Sequence, residues 1–122
     1  MRKLFYQDTE SGLWYQVTDQ GGRKGNYLEA TGSSMFVYTL AKGVNRGYLG
    51  RDYVPAALKG YAGLTGKLVQ VDQKGRVTLT QCCAGAGLGY GRDGTYEYYL
   101  SEAVVDNDLK GVGPLILAGL EL

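Results

Sequence analysis

Glycine is the strongest constraint in this chain. It makes up 20 of the 122 residues, about twice ordinary usage. The glycines fall in two kinds of place. Gly21-Gly22-Arg23-Lys24-Gly25-Asn26 and the run AGAGLGYGRDGTY over residues 84–96 read as loops, where the backbone is free to reach positive φ. Gly60, Gly63 and Gly66 lie inside a segment of helical periodicity. Each weakens a helix by up to ~1 kcal/mol relative to alanine. Such a helix needs tertiary support, and glycines on its face point to close helix–helix contact. The expected molecule is therefore a set of closely packed helices separated by long Gly-rich connections.

The apolar spacing places the helices. Met35, Tyr38, Leu40, Ala41 and Val44 recur at three- and four-residue intervals, with Ser33 or Ser34 as N-cap and Gly47 as the stop. A second helix begins near Asp52, with Pro55 in its first turn and a stripe through Val54, Leu58, Tyr61, Leu64 and Leu68. A third follows Asp106-Asn107-Asp108, with Pro114 in its first turn and the apolar run Leu115–Leu120. Leu68–Val71 and Arg76–Thr80, joined by Asp72-Gln73-Lys74-Gly75, read as a short β-hairpin. Residues 1–20 read as a short helical start, a turn over Asp8–Gly12, and an extended piece, Leu13–Val17. No internal repeat or linker interrupts residues 1–122, which read as a single domain.

Charge excludes several function classes. Lys+Arg is 13 and Asp+Glu is 12, a net charge of +1. No basic run exceeds two residues, so no nucleic-acid surface is expected. Histidine is absent, which removes Ser-His and Cys-His pairs and the commonest zinc ligand. The adjacent Cys82 and Cys83 cannot form a C-x-x-C site. They read as small, reduced, half-buried residues, which points to a reducing, cytoplasmic setting. The start MRKLFYQDTESG lacks the apolar stretch of a secretory signal, and no window of ~18 apolar residues is present to suggest a membrane span.

A few residues carry chemistry. Gly89, Gly91 and Gly94 spell G-x-G-x-x-G, but without the strand before and the helix after that a dinucleotide fingerprint needs. Trp14 and Tyr15, in SGLWYQV, are either a core pair or a platform for the C–H faces of a sugar ring. Arg92 and Asp93, followed by Glu97, Tyr98 and Tyr99, are either a loop-pinning ion pair over tyrosines or a cleft wall. As a wall, the guanidinium would grip an anionic sugar in bidentate fashion. Glu29 is a further candidate contact. No pair of carboxylates has a sequence spacing that marks it as catalytic, because a glycosidase pair is defined in space.

Taken together, SGLWYQV, NYLEATGSSMF, RDGTYEYYLSE and NDLKGVGP resemble the C-terminal part of the unsaturated rhamnogalacturonyl hydrolases. These are glycoside hydrolases of family 105, related to the unsaturated glucuronyl hydrolases of family 88. The resemblance runs in order along essentially the whole chain. It implies a mainly α fold, part of an (α/α)6 toroid of six helical hairpins. It also implies removal of a terminal 4,5-unsaturated uronic acid from pectin-derived oligosaccharides. In that reaction an Asp protonates the vinyl-ether double bond, water adds, and the hemiketal opens; the resemblance implies neither a metal nor a cofactor.

The chain is about a third the length of such an enzyme and begins downstream of the family's catalytic Asp. No residue here inherits the catalytic role. The resemblance leaves Trp14, Tyr15, Glu29, Arg92, Asp93 and Tyr98 as candidate substrate-binding residues. It makes an acidic oligosaccharide the expected ligand. Apolar helix faces left without neighbours would meet either the missing N-terminal portion or a second copy. The rival reading is a stand-alone carbohydrate- or partner-binding domain without catalysis.

Overall fold

The computed structural model describes residues 6–122; the short helical start expected at the N-terminus falls outside the described residues. The architecture is mainly helical, with two small two-stranded sheets. The turn expected at residues 8–12 is present. The Asp8 carboxylate accepts from the Ser11 N–H at 2.7 Å and the Ser11 hydroxyl at 2.6 Å. The segment after it is extended but forms no strand: Tyr15 pairs with Leu28 in an isolated antiparallel bridge.

Helix α1 spans Ala30–Asn45. Its N-cap is Glu29, not Ser33 or Ser34, and the Glu29 side chain accepts from the N–H groups of Thr31 and Gly32. Both serines are wholly buried in the helix. Ser33 Oγ instead accepts from the Trp14 N–H at 3.0 Å, which fastens the preceding loop onto α1. The helix stops as expected, with Gly47 at φ 76°.

A 3₁₀ turn over Arg51–Tyr53 leads into α2, Val54–Gly63, with Pro55 in its first turn. A single π turn, Leu64–Leu68, closes it. The expected apolar stripe holds at Leu64 and Leu68, which are buried, but not at Leu58. Leu58 is 52% exposed, whereas Ala57, Gly60 and Gly63 are buried. The smallest residues make the contact because neighbouring chain comes very close. A Cβ on Gly60 would sit 2.5 Å from Val37 Cγ2, and one on Gly63 would strike the Ser11 carbonyl. Thus Gly60 meets α1 and Gly63 meets the loop before it. Gly66 faces open space, so close contact does not explain it.

The expected hairpin forms from β1, Val69–Val71, and β2, Val77–Leu79, with Gln70 opposite Thr78. Asp72 holds its turn, accepting from the N–H groups of Lys74 and Arg76 and from Arg76 Nε. The remaining elements are β3, Cys82–Cys83; α3, Tyr96–Ser101; β4, Val104–Val105; and α4, Leu109–Glu121. β3 pairs antiparallel with β4. Both cysteines are buried and free. A short helix does follow the glycine triplet, but it has only six residues and is preceded by a two-residue strand. Pro114 lies inside α4, not in its first turn, because the Asp108 carboxylate caps the helix well upstream by accepting from the Lys110 N–H.

The helices have a definite sense. Thr31 at the start of α1 lies against Gly111 near the start of α4, and Asn45 at the end of α1 donates to the Glu121 carbonyl at 2.7 Å. α1 and α4 are therefore parallel. α2 returns antiparallel to α1, with Gly60 against Val37 and Val54 near Val44. Leu13, Trp14, Val37, Leu40, Leu64, Leu79 and Ala118 form the core among them. Among the described residues no helix is long and apolar enough to cross a membrane. The N-terminal ends of the two parallel helices point the same way. The segments 13–29 and 80–108 gather at that end, joined by Ala30 N–H to Gln81 O at 2.8 Å.

Candidate functional site at the helix N-termini

All six residues singled out in the sequence lie in or beside these two loop segments. Trp14 is 6% exposed. Its ring lies 5.0 Å from that of Phe36, tilted by 60°, and its far edge reaches Gly60 of α2. It wedges α1 against α2. Tyr15 is half-buried, and its ring runs under the backbone at Gly21, where a Cβ would come within 3.1 Å of it. The tyrosine therefore supports the first Gly-rich loop.

Glu29 joins the two halves of this end. Its Oε1 accepts from Thr31 N–H and Cys83 N–H, each at 2.9 Å, and its Oε2 accepts from Gly32 N–H at 2.5 Å. The carboxylate is buried and holds β3 on the start of α1. Beside it, burial pushes the Tyr27 hydroxyl well above its ordinary range, and the neighbouring Cys83 and Glu29 add to the shift. Burial likewise raises the Cys82 thiol, which keeps it protonated and unreactive.

The second Gly-rich loop is pinned, though not by an Arg92–Asp93 pair. Arg92 Nε donates to the Gly89 carbonyl at 3.1 Å, and its guanidinium lies against Gly87. Asp93 Oδ1 accepts from the Thr95 N–H at 3.0 Å and the Thr95 hydroxyl at 2.8 Å, and these bonds hold its carboxyl below the usual range. The Tyr98 hydroxyl accepts from Gly87 N–H at 3.0 Å and donates to Glu102 Oε1 at 2.5 Å. Burial, with that bond to Glu102, raises the Tyr98 pKa.

The structure also assembles a cluster that sequence spacing did not reveal. Arg23 pairs with Glu97 at 3.3 Å and lies 3.8 Å over the Tyr96 ring. Tyr96 donates to the Lys24 carbonyl at 2.8 Å. A shallow cavity of about 500 Å³ opens there, lined by Arg23, Lys24, Gly25, Tyr96, Glu97 and Leu100. The only sequence signal was the basic pair inside a Gly-rich loop. Trp14, Tyr15 and Glu29 thus form one group and Arg92, Asp93 and Tyr98 another. The groups are linked through Glu29 to Cys83 and through Gln16, whose Nε2 donates to Cys83 Sγ at 3.2 Å and to the Tyr99 carbonyl at 3.5 Å.

Chemically, this end offers cationic and aromatic groups on a fixed frame. Glu29, Asp93, Glu97 and Glu102 are each engaged by a partner already described. The bonds that lower Asp93 leave it ionised near neutrality, which unfits it as a proton donor. Among the described residues no group of three His, Cys, Asp or Glu side chains could hold a metal ion.

Comparison with known proteins places this frame. The chain is 48% identical to a glycoside hydrolase of family 105 from C. acetobutylicum, with a TM-score of 0.91; the match covers 95% of this chain and 33% of that one. A possible member of family 105 from Salmonella enterica is 28% identical, with a TM-score of 0.74, and is matched over 27% of its chain. A 24.9 kDa protein in the picA locus of Rhizobium radiobacter is 42% identical over 127 aligned residues, which cover 97% of this chain and 54% of that protein. The chain thus spans about half the length of its curated relatives and a third of the solved enzyme. The model of glycosyl hydrolase family 88 matches residues 2–122. This chain belongs to glycosyl hydrolase family 88, as a portion of a glycoside hydrolase of the family 88 and 105 kind.

Proposed function

We propose that this chain is the C-terminal portion of an unsaturated rhamnogalacturonyl hydrolase and supplies one wall of its cleft but not its general acid. The whole enzyme would remove 4,5-unsaturated uronic acid from pectin-derived oligosaccharides by hydrating the double bond. One observation supports the division of labour: the two carboxylates singled out at the loop-bearing end, Glu29 and Asp93, are already committed. Glu29 is held by three backbone N–H groups, and Asp93 is held ionised by Thr95. The acid would then come from the part of the enzyme outside this chain.

Within this wall, Arg92 would meet the carboxylate of an acidic oligosaccharide. Trp14, Tyr15, Glu29, Asp93 and Tyr98 would act by fixing the loops. The parallel α1 and α4 would be neighbouring helices of one ring of the toroid, with α2 in the other. The outward residues of α1 and α4, such as Phe36, Ile116 and Leu120, would pack on the hairpins this chain lacks.

The test is turnover of unsaturated rhamnogalacturonan disaccharide, followed by loss of the ultraviolet absorbance of its conjugated double bond. The purified 122-residue chain should leave the absorbance unchanged under conditions in which a full-length family 105 enzyme consumes the substrate. An enzymatic fall would mean that a carboxylate in this chain is the acid, and would sink the proposal.

A further inference from the structure

The second Gly-rich loop carries a side chain that the fold does not use. Residues 89–92 form a tight turn closed by two backbone bonds, Gly89 N–H to Arg92 O and Arg92 N–H to Gly89 O, each at 3.1 Å. Its two central residues, Tyr90 at φ 54° and Gly91 at φ 82°, are both left-handed. That geometry is a type I′ turn, which favours Asn or Gly at both positions. A left-handed tyrosine costs roughly 1 kcal/mol or more. Packing does not repay that cost, because Tyr90 is 101% exposed. The ring stands clear of the molecule at the tip of a held loop.

The rest of the loop makes that position reproducible. Arg92 Nε braces the turn through the Gly89 carbonyl, Tyr98 fixes Gly87, and Asp93 fixes Thr95. Leu88 packs against Gly94 on one side, yet remains 67% exposed. An open aromatic face with an aliphatic neighbour and a guanidinium two residues away suits a flat ligand with C–H faces and a nearby negative charge.

We propose that Tyr90 is a substrate-binding residue, a platform on which a pyranose ring of an acidic oligosaccharide stacks at the loop-bearing end. This rests on reading the loop-bearing end as one wall of a sugar cleft. The test is a titration of the ¹⁵N-labelled chain with unsaturated rhamnogalacturonan disaccharide at up to millimolar concentration, read from amide shifts. Tyr90→Ala should weaken binding about tenfold, and Tyr90→Phe and Tyr90→Trp should retain it. Tyr90→Asn suits the left-handed backbone and keeps the turn, so it should lose binding to the same degree. Equal binding by the wild type and Tyr90→Asn overturns the platform and leaves the cleft wall standing. No saturable shift in the wild type overturns both.

Discussion

At position 29 one carboxylate serves backbone amides from two separate parts of the chain. The α1 donors are local, and Cys83 N–H arrives from 54 residues away. Removing it would leave three N–H groups without that acceptor, two of them on buried residues. Glu29→Ala is expected to cost about 3 kcal/mol or more, read as a lower urea midpoint, and to raise amide exchange at Cys83. The aspartates give a second residue-scale prediction. Asp8, Asp72, Asp93 and Asp108 all titrate below their ordinary 3.8 in the folded chain. For Asp8, burial pulls the other way, but bonds from Ser11 outweigh it. A lowered folded pKa contributes stability that is full above the unfolded value and lost as pH falls through the folded one. Thermal stability should therefore fall on acidification below about pH 4, and Asp93→Asn should flatten that fall.

The elements differ in how plainly the sequence announces them. α1 and the β1–β2 hairpin are legible because long apolar periodicity and an Asp-to-Gly turn are local signals. The N-cap of α1 falls at Glu29 and not at a serine because burial of Ser33 and Ser34 is a tertiary fact that the commoner capping preference for serine does not contain. The α2 stripe departs from expectation at Leu58 for a related reason. There Ala57, Gly60 and Gly63 make the contact, and an apolar count scores them below Leu58. β3, β4 and α3 are too short for any period, and the pairing of Arg23 with Tyr96 joins segments more than 70 residues apart. Gly63 and Gly66 turn this into a measurement. Gly63→Ala would push a methyl into the Ser11 carbonyl and should cost about 1–3 kcal/mol. Gly66→Ala has open space and should add about 0.4–1 kcal/mol. Urea midpoints at constant slope would separate the two.

At the scale of the whole molecule, the outward faces of the parallel helices dominate. Met35 and Phe36 on α1 and Leu109, Ile116, Leu117 and Leu120 on α4 are all exposed. Such a surface favours association. Sedimentation of the isolated chain should show concentration-dependent self-association, which Ile116→Glu with Leu120→Glu should reduce without lowering the melting temperature. The toroid is an expectation from the family resemblance alone, since no local pattern in this chain encodes the closure of a ring.

If these residues are one wall of a uronyl hydrolase cleft, they should work once the rest of the enzyme is supplied. Grafting the chain in place of the matching third of the C. acetobutylicum family 105 enzyme tests it most directly. The folded graft should consume unsaturated rhamnogalacturonan disaccharide, Arg92→Ala in the graft should raise KM, and the isolated chain should consume none. A graft that folds and sediments like the parent yet leaves the double bond intact would contradict it.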